Sequence, residues 1–487
     1  MTDVGVIPFA SQKPCGIPPK SLAELGSYIL SRDTAMVKIG IMAEKQPDLM
    51  EKIVSLCKRR GFVFPGSEIY GGLANSWDFG PYGAQLKKNI KDHWWKFFVE
   101  QRDDMVGLDA AIIMNSKVWE ASGHVENFAD PLVECKKCHH RFRADQIDGA
   151  KGCPDCKGEL GDPRMFNILM KTSLGAVEDS KSVAYLRGET AQAMFVDFPA
   201  VQQMSRKKLP FGIAQSGKAF RNEITPGNFI FRTREFDLME FEYFFDPQKS
   251  KWEELFEHWK KEMETWMEAV GIDRDRTHAV DIPDGERAHY SKRTIDFEFE
   301  YPFGQKELFG LAYRTDYDLL QHEKMSGQEL RYLDPETNEK VLPHVIEPAF
   351  GADRAMLAIL LSAYEEEMVK EGDMRTVLHL KPAIAPVQVA VFPLMKNKPE
   401  LVGKAREVFE TLKKDFRCEF DDNGNVGKRY RRQDEIGTPY CVTVDFDTIG
   451  AGEDKSLEGT VTVRDRDSMK QERVKIEELP LYFQGKF

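Results

Sequence analysis

The sequence predicts a multidomain α/β protein, and three observations predict it. The chain has 487 residues, more than one compact core usually holds. Residues 217–245 read as an antiparallel hairpin. Beyond Pro386, strand patterns alternate with helix patterns, the plan of an α/β layer fold. Hydrophobic residues make up 41% and charged residues 30%, and no apolar run approaches a membrane span, so no membrane partner is expected. A formal net charge of −12 argues against a bulk nucleic-acid coat but leaves room for a local basic surface. The N-terminus lacks the charged-then-apolar plan of a signal peptide, so a cytoplasmic protein is expected.

Taken in order, residues 1–41 carry Pro8, Pro14, Pro18 and Pro19 with little periodicity, and they are expected to be a mobile N-terminal extension. Met42 opens a helical pattern that continues through Met50, Ile53, Val54 and Cys57. Residues 61–83 are dense in glycine and aromatics, which predicts closely packed loops. A helix follows, with Leu86, Ile90, Trp94 and Phe97 on one face and Lys87, Lys88 and Lys91 elsewhere. A strand is expected around 110–114.

Cys135-x-x-Cys138 and Cys153-x-x-Cys156 are separated by 14 residues. Two such knuckles give four thiolates that can surround one tetrahedral Zn2+ with no open position, hence a structural ion. Residues 131–160 around them have little core and need a staple. His139 and His140 could replace a ligand, but four thiolates are simpler.

In the hairpin, Phe236, Leu238, Glu240, Glu242 and Phe244 fall on one face, and Asp237, Met239, Phe241, Tyr243 and Phe245 on the other. The second face reads as core. The first carries carboxylates and an aromatic ring near Arg221 and Glu223. Arginine and an outward phenylalanine can hold a nucleotide; a solvated sheet face with cross-strand ion pairs is the commoner use of such residues.

Residues 252–270 form an amphipathic helix, 294–300 a strand, and 343–354 a strand leading into a helix through Met368. Residues 381–386 are the expected linker. Strands are expected at 387–392, 418–420, 440–446 and 459–463, with a helix at 400–414. Lys428-Arg429-Tyr430-Arg431-Arg432 suits phosphate contact and base stacking, with a solvated helix face as its close rival. Tyr482-Phe483-Gln484-Gly485 resembles a protease-tag remnant and carries no functional argument.

Several stretches go further than residue type. Phe220-Arg221-Asn222-Glu223, Phe231-Arg232-Thr233-Arg234-Glu235-Phe236 and Met239-Glu240-Phe241-Glu242 closely resemble the second signature motif of class II aminoacyl-tRNA synthetases, in the glycyl-tRNA synthetase variant. Arg187 to Gln192, Lys306 to Leu319 and Pro343 to Arg354 resemble further segments of that family, the last being the third class II motif. The resemblance covers about residues 42–480. It implies a catalytic domain (42–380) on a mixed, mostly antiparallel sheet, a zinc-ribbon-like insertion (131–160) and a C-terminal α/β anticodon-binding domain (381–487). It implies a homodimer that joins glycine to its tRNA through glycyl-adenylate, using ATP with Mg2+. A catalytically silent RNA-binding or polymerase-accessory relative is the alternative.

The roles it implies are these. Arg221 and Arg354 are catalytic. ATP is held by Arg221, Asn222, Glu223, Phe231, Arg232, Thr233, Arg234, Glu235, Phe236, Glu307, Leu308, Gly351, Ala352, Asp353 and Arg354. Phe236 stacks on adenine, Glu223 meets its amino group, and Glu307 meets magnesium. Glycine is held by Arg102, Glu189, Phe236, Asp237, Leu238, Met239, Glu240, Glu347, Pro348, Ala349, Phe350 and Gly351, with Glu189, Glu240 and Glu347 on its ammonium. Two departures stand out: Asn115-Ser116 where the family places proline, and Ala349 where it usually has serine.

Overall fold

The computed structural model describes residues 48–176, 182–288 and 290–487. The proposed extension, and residues 42–47 of the first helical pattern, lie outside the described residues. Helix α1 (Leu49–Arg60) starts where the Asp48 carboxylate caps the Glu51 amide, and ends at Gly61, whose φ is 74°. Helix α2 (Pro81–Trp95) opens on proline and buries Leu86, Ile90 and Trp94. Gly83 lies so near the Phe62 backbone that a Cβ would sit 1.8 Å from its carbonyl oxygen. The expected loop packing holds there, whereas Ile69, Tyr70 and Leu73 project into solvent.

The strand expected at 110–114 is a correction. The strand is β1 (Met105–Gly107), and within 110–114 only Ile113 makes an isolated bridge, to Leu186. Asn115, read as a departure at a strand end, instead caps helix Ser116–Ala121 through its side chain.

The main sheet continues with β2 (Phe211–Phe220), β3 (Glu235–Phe245), β4 (Thr277–Asp281), β5 (Arg293–Tyr301), β6 (Gly304–Thr315) and β7 (His344–Gly351). Helix α3 (Trp252–Ala269) follows β3, and helix α4 (Tyr317–Ser326) follows β6. The strand order is β4-β5-β6-β7-β3-β2-β1, antiparallel throughout except for the β1–β2 edge. Met239, Phe241, Tyr243 and Phe245 join a core with Trp94, Phe98, Trp259 and Phe350, as their alternation predicts. The other face of β3 is not solvated: Glu242 and Phe244 are both fully buried, because a second layer from residues 191–201 covers it.

Helix α5 (Ala352–Ala363) stops five residues before Met368. Residues 364–370 form a hairpin strand with 373–378, turning at Gly372, whose φ is 77°. Two of its three consecutive glutamates are paired there, Glu366 with Lys52 and Glu367 with Arg375.

The C-terminal five-stranded sheet has Val389–Pro393 between the parallel Cys418–Phe420 and Tyr440–Val444, then antiparallel Thr460–Asp465 and Gln471–Lys475. Helices α6 (Pro399–Leu412) and α7 (Val426–Ile436) pack beside it. The expected linker is no free tether: Ile384 and Ala385 are buried, and their carbonyls accept from Asn89 at 2.9 and 3.0 Å. The expected tag remnant is also part of the fold. Phe483 is buried in helix Leu479–Gln484 against Phe416, Tyr440 and Phe487.

Candidate active site

The centre of the sheet, β3, β6 and β7, lines a cavity of about 390 Å³. Its two ends differ in charge. At one end β2 runs out into Arg221, whose Nε donates to the Gly188 carbonyl at 3.0 Å. Its guanidinium lies 5.0 Å from the Phe128 ring centre and 5.4 Å from that of Phe236, a slot between aromatic faces. Glu223 follows two residues on. Its Oε2 is buried without a hydrogen-bond partner among the described residues, with Arg232 Nε 4.0 Å away. Such an acceptor awaits a donor. Arg354 stands in the first turn of α5, its guanidinium 4.5 Å from the Phe231 ring centre and 3.0 Å from the Glu307 carboxylate. That arginine, opposing the effect of burial, holds the Glu307 carboxyl below its usual range. Burial, aided by Glu307 and Glu298, pushes Asp296 up to about 7.

The other end is floored by buried carboxylates. Glu189 accepts from Gln192 at 2.9 Å and lies 3.1 Å from His124. Glu240 accepts from the Thr190 amide at 3.2 Å and from its hydroxyl at 2.5 Å. Arg314, itself buried, reaches Glu347 at 2.9 Å with one nitrogen and grips Asp318 at 2.8 and 2.9 Å with the other two. Burial raises the Glu240 and Glu347 carboxyls above their usual range. For Glu189 the same burial is outweighed by His124 and Arg314, and its carboxyl falls.

Of the residues singled out in the sequence, Arg221, Glu223, Phe231, Arg232, Thr233, Phe236, Glu307, Leu308, Gly351, Asp353 and Arg354 line this cavity, as do Glu189, Asp237, Leu238, Glu240, Glu347 and Ala349. Eight do not line it. Met239 and Phe350 alternate into the core on the opposite face of the sheet, and Ala352 is buried at the start of α5. Pro348 is buried opposite Leu311. Arg102 is held by Asp104 at 2.8 Å and lies over Trp259. Glu235 pairs with Lys218, Arg234 turns to the Ala74 and Glu223 carbonyls, and Asn222 faces solvent. Asp237 touches the cavity, yet its carboxylate is taken by Lys87 at 2.5 Å, Lys91 at 2.9 Å and Lys218 at 3.1 Å.

Sequence reasoning missed Phe128, Tyr290, Asp296 and Arg314. Arg314 had a local signal, a cation directly after the apolar run 308–313. Its aim comes from a register shift between Tyr313 and Thr315 against β7, which no pattern in the sequence announces.

The four knuckle thiols converge: their sulfurs all lie within 4.8 Å of one another. The Lys137 and Cys138 amides stand 3.4 and 3.5 Å from the Cys135 sulfur, and they bring its thiol down to about 6. A Cβ on Gly158 would come 3.1 Å from that sulfur, so the cradle is cut for glycine. His139 and His140 turn outward to Glu134 and Asp155. The donor set fits a tetrahedral ion.

The basic run forms the start of α7, and most of it is committed inward. Arg429 is buried and donates to the carbonyls of Asp422, Gly424 and Pro393. Arg431 pairs with Asp373 at 2.9 Å and Arg432 with Asp421 at 2.5 Å. The Tyr430 hydroxyl shares a hydrogen bond with Thr443. Lys428 alone of the five faces solvent. The run is therefore no open platform for phosphate and base.

A mostly antiparallel sheet whose cavity gathers arginines at one end and carboxylates at the other has the form of a class II synthetase core. Residues 177–363 match the family described as "tRNA synthetase class II core domain (G, H, P, S and T)", and residues 388–486 match the "Anticodon binding domain". Among curated proteins the chain is 52% identical to the glycine–tRNA ligase of Lachnospira eligens, over 90% of this chain and 99% of that one. It is 52% identical to that of Acetivibrio thermocellus, over 90% and 98%, and 52% identical to that of Clostridium acetobutylicum, over 91% and 99%. The chain belongs to the glycine–tRNA ligase family.

Proposed function

We propose that the chain joins glycine to its tRNA in two steps. The glycine carboxylate attacks the α-phosphorus of ATP and pyrophosphate leaves. The 3′-terminal adenosine hydroxyl of the tRNA then attacks the acyl carbon of glycyl-adenylate, and AMP leaves. The observation that carries this reading is the two-ended cavity: arginines and an unpartnered buried acceptor at one end, a floor of carboxylates at the other. Arg221 orients the carboxylate and α-phosphate, Phe236 stacks on adenine, and Glu223 accepts from its amino group. Arg232 and Arg354 take the outer phosphates, and Glu307 the accompanying Mg2+. Glycine has no side chain to grip, so its ammonium carries recognition, at Glu189, Glu240 and Glu347. The work is orientation and charge neutralisation rather than proton transfer.

Cys135, Cys138, Cys153 and Cys156 hold a structural Zn2+ in the 131–160 insertion. Residues 42–380 act as the catalytic domain and 381–487 as the anticodon-binding domain of a cytoplasmic homodimer. No helix among the described residues is long and apolar enough to cross a membrane.

Pyrophosphate exchange with each amino acid in turn tests the reading. Glycine should support exchange, and Arg221→Ala and Arg354→Ala should each cost about 3–4 kcal/mol of it with the fold intact. Near-normal exchange in both variants, or exchange driven by another amino acid, would overturn it.

A further inference from the structure

Below the carboxylate floor lies a residue that does not line the cavity. Glu242 follows Glu240 by two residues on the same face of β3, and it is 0% exposed. Both of its carboxyl oxygens are without a hydrogen-bond partner among the described residues. One carboxyl oxygen from each of Glu240, Glu242 and Glu347 lies within 4.8 Å of the other two. Ile213 stands directly across on β2, and the apolar cluster of Ala191, Phe195, Phe211 and Phe244 closes that side.

The charges around it do not balance. Glu240 shares its strand, Glu347 faces it from β7, Asp318 from α4, and Glu189 lies beyond Glu240. The cation directed at this group, Arg314, is already gripped by Asp318 and Glu347, and His124 belongs to Glu189. Three carboxylates this close, out of water, cannot all be ionised. Glu240 accepts from Thr190, Glu347 accepts from Arg314, and the two carboxyls hydrogen-bond each other, so the charge they share is solvated by the protein. Nothing solvates a charge on Glu242, and the proton is cheapest to keep there.

We propose that Glu242 is a positioning residue of the amino-acid end, an un-ionised carboxylic acid that leaves the charge facing the ammonium on Glu240 and Glu347. It acts through those two residues and touches no substrate. The inference rests on the reading that Glu240 and Glu347 receive the glycine ammonium.

The test compares wild type with Glu242→Gln, Glu242→Ala and, as a control on that reading, Glu240→Gln. The infrared difference spectrum of wild type minus Glu242→Gln at neutral pH should contain the C=O stretch of an un-ionised carboxyl; a carboxylate band in its place overturns the proposal. In exchange assays Glu242→Ala, which empties the buried space beside Glu240 and Glu347, should raise the KM for glycine about tenfold and leave that for ATP nearly unchanged. Glu242→Gln, neutral and of the same shape, should bring the glycine KM back to within about threefold of wild type. An unchanged glycine KM in Glu242→Ala, or a Gln variant as impaired as the Ala variant, would sink the idea. Should the Ala variant fail to fold, the spectrum and the Gln variant decide. If Glu240→Gln itself leaves the glycine KM unchanged, the ammonium reading fails; if Glu240→Gln raises it while Glu242→Ala does not, the role of Glu242 alone fails.

Discussion

Replacing Lys87 with methionine should loosen the nucleotide end of the cavity from the far side of the sheet. Lys87 reads as an ordinary surface lysine of α2, yet it is buried, with its ammonium 2.5 Å from Asp237 and 2.6 Å from Asp353. Asp237 adjoins Phe236, and Asp353 adjoins Arg354. The ammonium thus ties the turn into α5 to the start of β3. Breaking one side of a buried ion pair costs about 3–5 kcal/mol. The lower end applies, because Asp237 keeps Lys91 and Lys218, whereas Asp353 keeps the Asp237 amide at 3.3 Å. About 3 kcal/mol corresponds to a Tm lower by about 4 °C in a domain as long as residues 42–380.

The pH dependence has a definite sign. Burial raises the Asp237 carboxyl, but the lysines outweigh it and hold it well below its usual range; that stability is present above the unfolded pKa and lost as pH falls through the folded one. Asp353 is raised by burial despite Lys87, and without the lysine it should rise further. A carboxyl raised in the folded state takes up a proton on folding, so the deficit of Lys87→Met should shrink as pH is lowered from neutral toward 5, by at most about 1.4 kcal/mol per pH unit. Thermal unfolding across that range checks this, and the KM for ATP should rise more than that for glycine. A Tm within about 1 °C of wild type at neutral pH, or no coupling between Lys87→Met and Asp353→Asn in a double-mutant cycle, would refute the reasoning.

Other outcomes follow from the same geometry. Chelation should release one zinc per chain and expose residues 131–160 to proteolysis, since that module has little core; elemental analysis finding no zinc in protein made with zinc present would contradict it. Arg429→Glu should unfold the C-terminal sheet at lower denaturant, because a buried guanidinium with three carbonyl acceptors is replaced by a charge without donors. The loss should be at least about 3 kcal/mol, and normal stability with weakened tRNA binding would restore the run as a contact surface. Ala349→Gly should raise alanine activation relative to glycine by up to about 1–3 kcal/mol, since its methyl lines the cavity between Glu240 and Gly310; unchanged discrimination in exchange assays would place the specificity wall elsewhere.

The features legible in the sequence are those whose cause is local. Period-two alternation placed Met239, Phe241, Tyr243 and Phe245 in the core, and helix spacing placed Trp259, Met263 and Trp266 there, because the backbone sets which side chains share a face. The knuckle thiols were legible for the same reason: a two-residue gap brings both sulfurs of a pair to one point whatever the rest of the chain does. Arg221, Glu223 and Arg354 were found by resemblance of short motifs, and the sheet brings them to one cavity.

The rest depends on partners distant in the chain. Alternation puts Glu240 and Glu242 on one face that is either solvated or ligand-holding, and only the 191–201 layer shows how that face is covered. The run 428–432 is basic in any reading, but whether its charge is available depends on Asp373 and Asp421, and on the carbonyl of Pro393, 36 residues before Arg429. The continuation of α5 past Ala363 was plausible locally, but residues 364–370 pair as a strand with 373–378, where Glu366 meets Lys52 and Glu367 meets Arg375. Lys87 is the sharpest case. A lysine on a helix is solvated by default, and only packing α2 against β3 and α5 buries its ammonium between two carboxylates. Periodicity determines which way a side chain points; burial and charge state are decided by what the tertiary structure puts there to meet it.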